Sequence, residues 1–282
     1  MKNTFTFFIL IIFLSGFSTY AQENDSLLYK WTPAAVLGLN ISQIALSNWT
    51  KGGDNSISWT GAANGSVNYL TDTWRFKNNL KIAFGSTKLG NADFRTTDNE
   101  LYLEDVLSLN FGWAVDPYIS NLVRTAIGPG YNYKVTPAPQ IAAFFDPGYV
   151  TQSIGFMYDK VTGVSSRLGL AFQETFTNKH RNYSDDPDTP EIEAFKFETG
   201  LESVTKTEFV LAENLLAQSL LRLFTRFEQI DVWDVRWDNT ITAKVNSFLN
   251  VNVTYLLIYE KSQSPETQMK QTLQLGFVYT LL

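Results

Sequence analysis

The chain has 282 residues and a formal net charge of −6 at pH 7, which makes nucleic acid an unexpected partner. It contains no cysteine, and this excludes disulfide bonds, thiolate metal sites and thiol catalysis. Aromatic residues make up 15% of the chain and charged residues only 18%, a mixture that favours a two-faced sheet over a large apolar core.

The first 21 residues have the features of a secretory signal peptide. Lys2 precedes an apolar run over residues 5–17, and Thr19-Tyr20-Ala21 follows, so we expect cleavage after the small residue Ala21. An uncleaved anchor helix is the alternative, because the uncharged stretch is long enough to span a bilayer. Residues 22–282 are predicted to form one domain.

Residues 57–69 give the clearest strand pattern in the chain. Their odd positions are apolar or tiny and their even positions are mostly polar. A second phase begins at Trp74, where Trp74 and Phe76 share one face and Arg75 and Lys77 share the other. Alternation with a period of two predicts strands that have one apolar and one polar face.

The same count along the chain predicts twelve strands. The clear ones span residues 56–69, 73–87, 235–245, 249–259 and 272–281. Fainter ones span residues 35–48, 100–114, 117–131, 148–158, 164–177, 194–211 and 215–227. The segment 215–227 is doubtful, because its leucine and phenylalanine residues also fit a helical stripe.

The connections alternate between short and long. Short turns are expected at residues 70–72, 115–116, 159–163, 212–214 and 246–248. Longer loops are expected at residues 49–55, 88–99, 132–147, 178–193, 228–233 and 261–268. This alternation is typical of barrels with short periplasmic turns and long extracellular loops.

These patterns predict an all-β fold, a transmembrane up-and-down antiparallel β-barrel of about twelve strands in the cell outer membrane. Because each unpaired backbone polar group costs several kcal/mol in hydrocarbon, a sheet spans a bilayer only if it closes. A soluble sandwich or lipocalin-like barrel is the alternative, since it alternates in the same way with its apolar face turned inward.

Aromatic residues near the predicted strand ends favour the membrane interpretation. Those near the short turns are Tyr69, Trp74, Trp113, Tyr118 and Tyr279, and those toward the long loops are Trp59, Phe84, Trp237 and Tyr259. The chain also stops on a strand, residues 274–281, which resembles the terminal signal read by barrel-insertion machinery. Outer-membrane lipid and that machinery are therefore the expected partners.

The polar face of the strands is predicted to line the lumen. The candidate lumen-lining residues are Arg75, Lys77, Lys81, Glu104, Arg124, Arg167, Glu198, Glu202, Arg222, Arg226, Arg236, Asp238 and Lys244. A porin-like passive channel for small polar or anionic solutes is one prediction, because charged rings set pore selectivity. The alternative is a closed structural or surface-interaction barrel whose lumen is filled by ion pairs.

Asp105 breaks the alternation, because it falls in phase with Leu103 and Leu107 on the predicted lipid face. A charged residue is costly in hydrocarbon. We therefore expect a β-bulge or a rim position at Asp105.

His180 is the only histidine and lies in an acidic loop. A His-Asp or Ser-His pair at the barrel mouth would give a hydrolase, which is the third candidate function. No second element fixes such a geometry, so we predict that the protein is not an enzyme and has no catalytic residue. The acidic residues of the loop lack the calcium-loop pattern, and neither a metal nor a cofactor is predicted.

The stretch Ser47-Asn48-Trp49-Thr50-Lys51-Gly52-Gly53-Asp54-Asn55-Ser56 resembles the N-W-x-x-G-G-x-N-S signature of a family of predicted outer-membrane barrels from Bacteroidetes-type bacteria, a domain of unknown function. Asp146-Pro147-Gly148-Tyr149 and Gly276-Phe277-Val278-Tyr279 add to the resemblance, while Glu260 stands where the family often has aspartate. The resemblance implies the barrel fold and the outer membrane, and it implies no substrate or activity.

Overall fold

The computed structural model describes residues 28–48, 53–186, 189–261 and 264–282. The predicted signal peptide, and Trp49 to Gly52 of the Asn-Trp motif, lie outside the described residues. Twelve strands close into one antiparallel barrel, and a two-stranded hairpin lies in one of the long loops.

The barrel strands are β1 Trp31–Ile44, β2 Ser56–Leu70, β3 Trp74–Leu89, β4 Arg95–Leu109, β5 Asp116–Thr125, β8 Gly148–Val161, β9 Val164–Phe176, β10 Phe195–Ala212, β11 Leu215–Arg226, β12 Gln229–Lys244, β13 Leu249–Tyr259 and β14 Gln268–Thr280. The hairpin comprises β6 Gly130–Tyr131 and β7 Gln140–Ala142. A 3₁₀ turn covers Arg181–Tyr183. Within the described ranges, no helix has the length and apolar character needed to cross a bilayer.

Each barrel strand pairs with its neighbours in the chain, and β5 pairs with β8 across the hairpin loop. β1 pairs with β14, with Val36 opposite Thr280, and this pairing closes the sheet. Closure leaves no free edge, which is the condition for a sheet in hydrocarbon. The start of β1 and the end of β14 lie on the same side as the short turns.

The distribution of polarity is inverted relative to that of a water-soluble protein. Glu104 and Glu202 are 0% and 1% exposed, while Ile119 and Leu168 on the outer face are 52% and 58% exposed. A soluble monomer normally exposes large apolar side chains only as isolated residues. In this protein such side chains cover the barrel wall. The outer surface therefore fits a hydrocarbon environment, and the predicted transmembrane barrel of twelve strands is confirmed.

Aromatic rings cluster at the short-turn side of β1, β2 and β3. The ring centroids of Trp31 and Tyr69 are 4.7 Å apart, and those of Tyr69 and Trp74 are 5.1 Å apart. Two members of the predicted girdles are placed elsewhere. Tyr118 is 2% exposed and points into the barrel, and Trp237 lies near the middle of β12 because that strand begins at Gln229.

Several predicted boundaries differ from the observed ones. Residues 229–233 belong to β12, so the long loop predicted at 228–233 is wrong and the connection is a tight turn. β5 ends at Thr125, and Gly130–Tyr131 belongs to the separate hairpin. The doubtful segment 215–227 is a strand, in which Phe224 packs inside against the guanidinium groups of Arg222 and Arg226.

No bulge occurs at Asp105. The pairing of β3 with β4 is continuous from Trp74 to Gly85, and its irregularity lies between Gly85 and Ser86. Asp105 faces outward, and its Oδ1 accepts a hydrogen bond of 2.7 Å from Nδ2 of Asn78. The strand register is therefore unchanged at Asp105, and its carboxylate is bonded by the amide of Asn78 on the neighbouring strand.

Candidate functional site: the barrel lumen

A buried carboxylate on β4 lies at the centre of the filled part of the lumen. Oε1 of Glu104 accepts a hydrogen bond of 2.7 Å from Nη2 of Arg167, and Oε2 binds the ammonium of Lys206. Glu104 is 0% exposed, and its single negative charge is shared by the two cations Arg167 and Lys206. These contacts tie β4 to β9 and β10 through the interior.

A second set of contacts joins four neighbouring strands, β8 to β11. Nε of Arg222 lies 2.6 Å from Oε1 of Glu202, whose other oxygen accepts a hydrogen bond from Ser153. Nη2 of Arg222 also donates to Thr151 and Gln173, at 3.4 Å and 3.2 Å. Because every member is hydrogen-bonded, these charges can lie buried.

A third cluster lies nearer the long loops. The guanidinium of Arg226 contacts Glu198 and also lies 2.9 Å from Oδ2 of Asp234. Lys196 contributes an ammonium 3.0 Å from Oε1 of Glu198. The two carboxylates are therefore neutralised by two cations.

Two ion pairs cross the full width of the lumen. Arg124 on β5 reaches Glu260, which directly follows β13, with 2.9 Å between Nη2 and Oε1. Arg236 on β12 reaches Glu100 on β4, with 2.7 Å between Nη2 and Oε1. In the ring of twelve strands, the members of each pair come from walls six strands apart, which is half the circumference.

Two further pairs cross the interior over shorter arcs. Lys81 on β3 lies 3.2 Å from Oδ2 of Asp238 on β12, and Arg236 is 3.8 Å from the same oxygen. Lys270 on β14 binds the carboxylate of Asp98 on β4. Together these contacts place ion pairs across the interior between the middle of the barrel and the long loops.

An open cavity of about 1150 Å³ occupies the short-turn half of the lumen. Its wall includes Lys77, Lys81 and Lys206, whose side chains are 38%, 43% and 34% exposed. Asp159 lies 3.3 Å from the ammonium of Lys77 and 3.4 Å from the guanidinium of Arg75. The lysine ammonium groups therefore remain accessible at the cavity surface while each contacts a carboxylate.

The wall formed by β1, β2, β13 and β14 is largely uncharged. Nδ2 of Asn252 donates to the side-chain oxygen of Asn40 at 2.9 Å, and Thr242 on the adjoining β12 donates to Asn252 at 3.0 Å. Amide and hydroxyl groups on this wall bond to one another. Most of the interior charge consequently lies on β3, β4, β5 and β8 to β12.

Lys244 differs from the other predicted lumen residues. It is exposed at the short-turn end of β12 and lines a smaller cavity of about 290 Å³ with Thr242 and Asn250. No side-chain ion pair of Lys244 is present among the described residues. The other twelve candidates all take part in the interior ion pairs given above.

Sequence reasoning missed several interior charges at the ends of strands. The missed residues are Asp98, Glu100, Asp116, Asp159, Lys160 and Lys270. A signal for some of them was present, because Asp98 and Glu100 continue the alternation that leads to Glu104. Lys270 likewise continues the phase of Thr272 and Gln274. The predicted strands stop short of all six residues except Glu100, which begins the predicted strand 100–114.

His180 lies in the loop between β9 and β10, which is held by a carboxylate from another loop. Asp146 accepts backbone N–H groups from Asn178, Lys179 and His180 at 2.9, 2.8 and 3.3 Å. Burial raises the pKa of Asp146, but the three N–H donors together outweigh the effect of burial and hold the pKa below its usual range.

Nε2 of His180 is buried without a hydrogen-bond partner in the described residues. Across those residues, no group of three or more His, Asp or Glu side chains is arranged to hold a metal ion.

The fold and interior are those of an outer-membrane β-barrel. Residues 41–131 match the model of a family described as "Protein of unknown function (DUF3078)". The expected resemblance to a family of unknown function is thereby confirmed for this segment, which includes the Asn-Trp motif. Comparison with curated protein sequences gives no significant match.

Among solved structures, the chain is similar to the translocator domain of autotransporter NalP from Neisseria meningitidis, with 10% identity, a TM-score of 0.37 and coverage of 90% of this chain and 91% of that chain. It is also similar to an outer membrane channel from Pseudomonas putida F1, with 12% identity, a TM-score of 0.40 and coverage of 88% and 94%. For Salmonella typhi OmpF in complex with daunomycin, the identity is 11%, the TM-score 0.29 and the coverage 91% and 99%. At these values the likeness concerns barrel architecture and nothing further.

Proposed function

We propose that the protein is a closed outer-membrane barrel with a structural or surface-interaction role, whose lumen does not conduct freely at rest. The observation that carries this proposal is the pair of contacts Arg124–Glu260 and Arg236–Glu100. Each contact joins opposite walls, so the two side chains meet where the axis of an open pore would run. Further ion pairs of β8 to β12 fill the space beside them.

Such pairs resist opening for an electrostatic reason. Separating a buried pair leaves two charges without partners, and removing a single partner typically costs about 3–5 kcal/mol. Arg124 and Glu260 are both largely buried, with side-chain exposures of 13% and 8%. A thermally driven opening of this layer is therefore rare.

Conductance across planar bilayers tests the proposal. The wild-type barrel is expected to give no steady steps over many insertions, and the double variant R124A/R236A is expected to conduct. The matched control is Arg95→Ala, which removes an exposed arginine at the loop end of β4 that stacks on Tyr133. This control should remain silent. Steady, large steps from the wild-type protein would contradict the closed barrel.

A second candidate is a passive channel for small polar or anionic solutes, in which the ion-pair layer acts as a gate. The cavity of about 1150 Å³ favours it, because accessible lysines line its wall. Charged groups that line a pore set its ion preference. If the wild type conducts, Lys77→Glu with Lys81→Glu should shift the permeability ratio from anions toward cations.

We propose no enzymatic role. His180 has no hydrogen bond from its buried Nε2 to a nucleophile or carboxylate within the described residues.

Outer-membrane lipid and the machinery that inserts barrels are the proposed partners, and export by the N-terminal signal peptide is part of the proposal. Carbonate-resistant pelleting of the processed protein with outer membranes tests its location, and recovery from the soluble periplasm would contradict it.

A further inference from the structure

Four polar residues form a continuous row on the outer face of the barrel. Asn78 on β3 is paired with Asp105 on β4, Asp105 with Asn121 on β5, and Asn121 with Gln152 on β8. The row therefore crosses four adjacent strands without interruption. At its ends the pairing partners are apolar, Val67 on β2 and Phe172 on β9.

The burial of neighbouring residues shows that the row points away from the lumen. Successive side chains of a strand point to opposite faces. The residues on both sides of Asp105, Asn121 and Gln152 are buried in the interior, namely Glu104, Val106, Ser120, Leu122, Thr151 and Ser153. The three side chains between them consequently lie on the outer surface.

The row lies inside the apolar belt, not at its rim. On every strand, the next outward residue on each side of the row is apolar: Phe76 and Leu80, Leu103 and Leu107, Ile119 and Val123, and Val150 and Ile154. Ile119 and Ile154 are 52% and 53% exposed, so these flanking positions belong to the lipid-facing surface. Asp105 therefore does not lie at the rim of the barrel, which was one of the two alternatives expected for it.

The hydrogen-bonding capacity of the row is mostly unused. The bond from Nδ2 of Asn78 to Oδ1 of Asp105, at 2.7 Å, is the one side-chain hydrogen bond of the row in the described part of the chain. Oδ2 of Asp105 and the amides of Asn121 and Gln152 have no protein partner there. Hydrocarbon supplies no donor or acceptor, and polar groups in that layer normally face protein or water. A hydrogen-bonding protein surface is the environment that these groups fit.

We propose that this row is the interface through which two copies of this chain pair within the membrane. The row is complementary to itself, because the carboxylate of Asp105 is an acceptor and the amides of Asn121 and Gln152 bring free N–H donors. A two-fold axis along the membrane normal that passes between β4 and β5 makes the same patch face itself. Adjacent strands are about 4.8 Å apart, so Asp105 then comes within side-chain reach of Asn121 of the partner subunit, and the contact occurs twice.

Disulfide crosslinking tests this pairing directly, because the chain has no cysteine of its own. Two differently tagged copies, one with Asp105→Cys and one with Asn121→Cys, are expressed together and oxidised in outer membranes. A disulfide-linked species carrying both tags and twice the monomer mass is expected. The control is Val253→Cys in both copies, an outward position on β13 that is 45% exposed and lies on the far side of the barrel. Crosslinking no greater than in this control, or crosslinking only to a protein of another mass, overturns the proposal.

A second variant keeps the test informative without cysteines. Asp105→Leu with Asn121→Leu makes the row more apolar, so the barrel should still fold and show heat-modifiable gel migration. The dimer dissociation constant in lipid nanodiscs or detergent should rise about tenfold or more, because the reciprocal hydrogen bonds are lost. A wild-type protein that is monomeric at every concentration, or a variant with an unchanged dissociation constant, overturns the proposal. Neither result depends on whether the lumen conducts.

Discussion

The carboxylate of Glu104 lies 2.7 Å from the guanidinium of Arg167, although two strands, β5 and β8, separate their strands in the barrel wall. A contact over this arc is possible only through the interior. Both residues are buried, at 0% and 6% exposure. The lumen is therefore a packed ionic core at this level, and its stability depends on the balance of paired charges.

Replacing Glu104 by glutamine removes the carboxylate that pairs with the buried Arg167 and also contacts Lys206, while keeping nearly the same volume. We expect the free energy of unfolding to fall by about 3–5 kcal/mol, because one cation of a buried pair is left without its partner. Urea-induced unfolding from detergent micelles measures this change. Glu208→Gln is the control, since among the described residues that exposed carboxylate on the same interior face bonds only Gln218, and its effect should lie within about 0.5 kcal/mol. Equal effects of the two substitutions would contradict the ionic-core interpretation.

Gly169 is expected to tolerate no side chain. A Cβ there would lie 2.5 Å from the carbonyl oxygen of Ile154 and 2.7 Å from the hydroxyl of Tyr118. Because the backbone atom cannot move without disturbing the β8–β9 ladder, Gly169→Ala should lower the free energy of unfolding by about 1–3 kcal/mol.

Gly38→Ala is the matched control for that substitution. Its Cβ would meet its nearest atoms at 3.9 and 4.0 Å, which is ordinary contact. The unfolding midpoint in urea should therefore be unchanged or slightly raised for Gly38→Ala and lowered for Gly169→Ala. The reverse order would show that the wall adjusts around Tyr118.

The barrel could be predicted from the sequence because its two faces meet different environments. Lipid outside and polar contacts inside force a period of two on each strand, and the segment 56–69 shows this alternation almost without exception. Strand ends were less predictable. The residues that begin β12 were assigned to a loop, since pattern counts weaken where strands leave the apolar belt.

The partners of the interior charges could not be predicted from the same pattern. Alternation places Arg124 on the inner face, but its partner Glu260 is 136 residues away in the chain. The choice of partner depends on the stagger of the closed sheet, which sets the height of each residue in the lumen. Tyr118 shows the same limit, because an aromatic side chain near a turn fits both a membrane girdle and an interior packed against glycine.

The neighbours Phe76 and Lys77 on β3 should differ in their access to water. Phe76→Cys on the outer face should react with a lipid-phase maleimide and resist a water-soluble one, as should Trp59→Cys and Trp237→Cys. Lys77→Cys should react with the water-soluble reagent, because Lys77 lines the open cavity at the short-turn side. The wild-type chain gives no background, since it has no cysteine. Equal aqueous labelling at residues 76 and 77 would contradict the assigned faces.

Acid should release the loop between β9 and β10 through Asp146. The pKa of this carboxyl is held below its usual value of about 3.9 by the N–H groups of residues 178–180, so it is lower in the folded than in the unfolded chain. The resulting stabilisation is fully present above about pH 4 and is lost as pH falls through the folded-state pKa.

Hydrogen exchange of the backbone amides of residues 178–180, corrected for intrinsic rates, should show protection that declines only below about pH 4. Asp146→Asn should lower protection already at pH 7, whereas Asp93→Asn, at an exposed position, should leave it unchanged. Protection independent of Asp146 at neutral pH would rule out this carboxylate as the anchor of the loop.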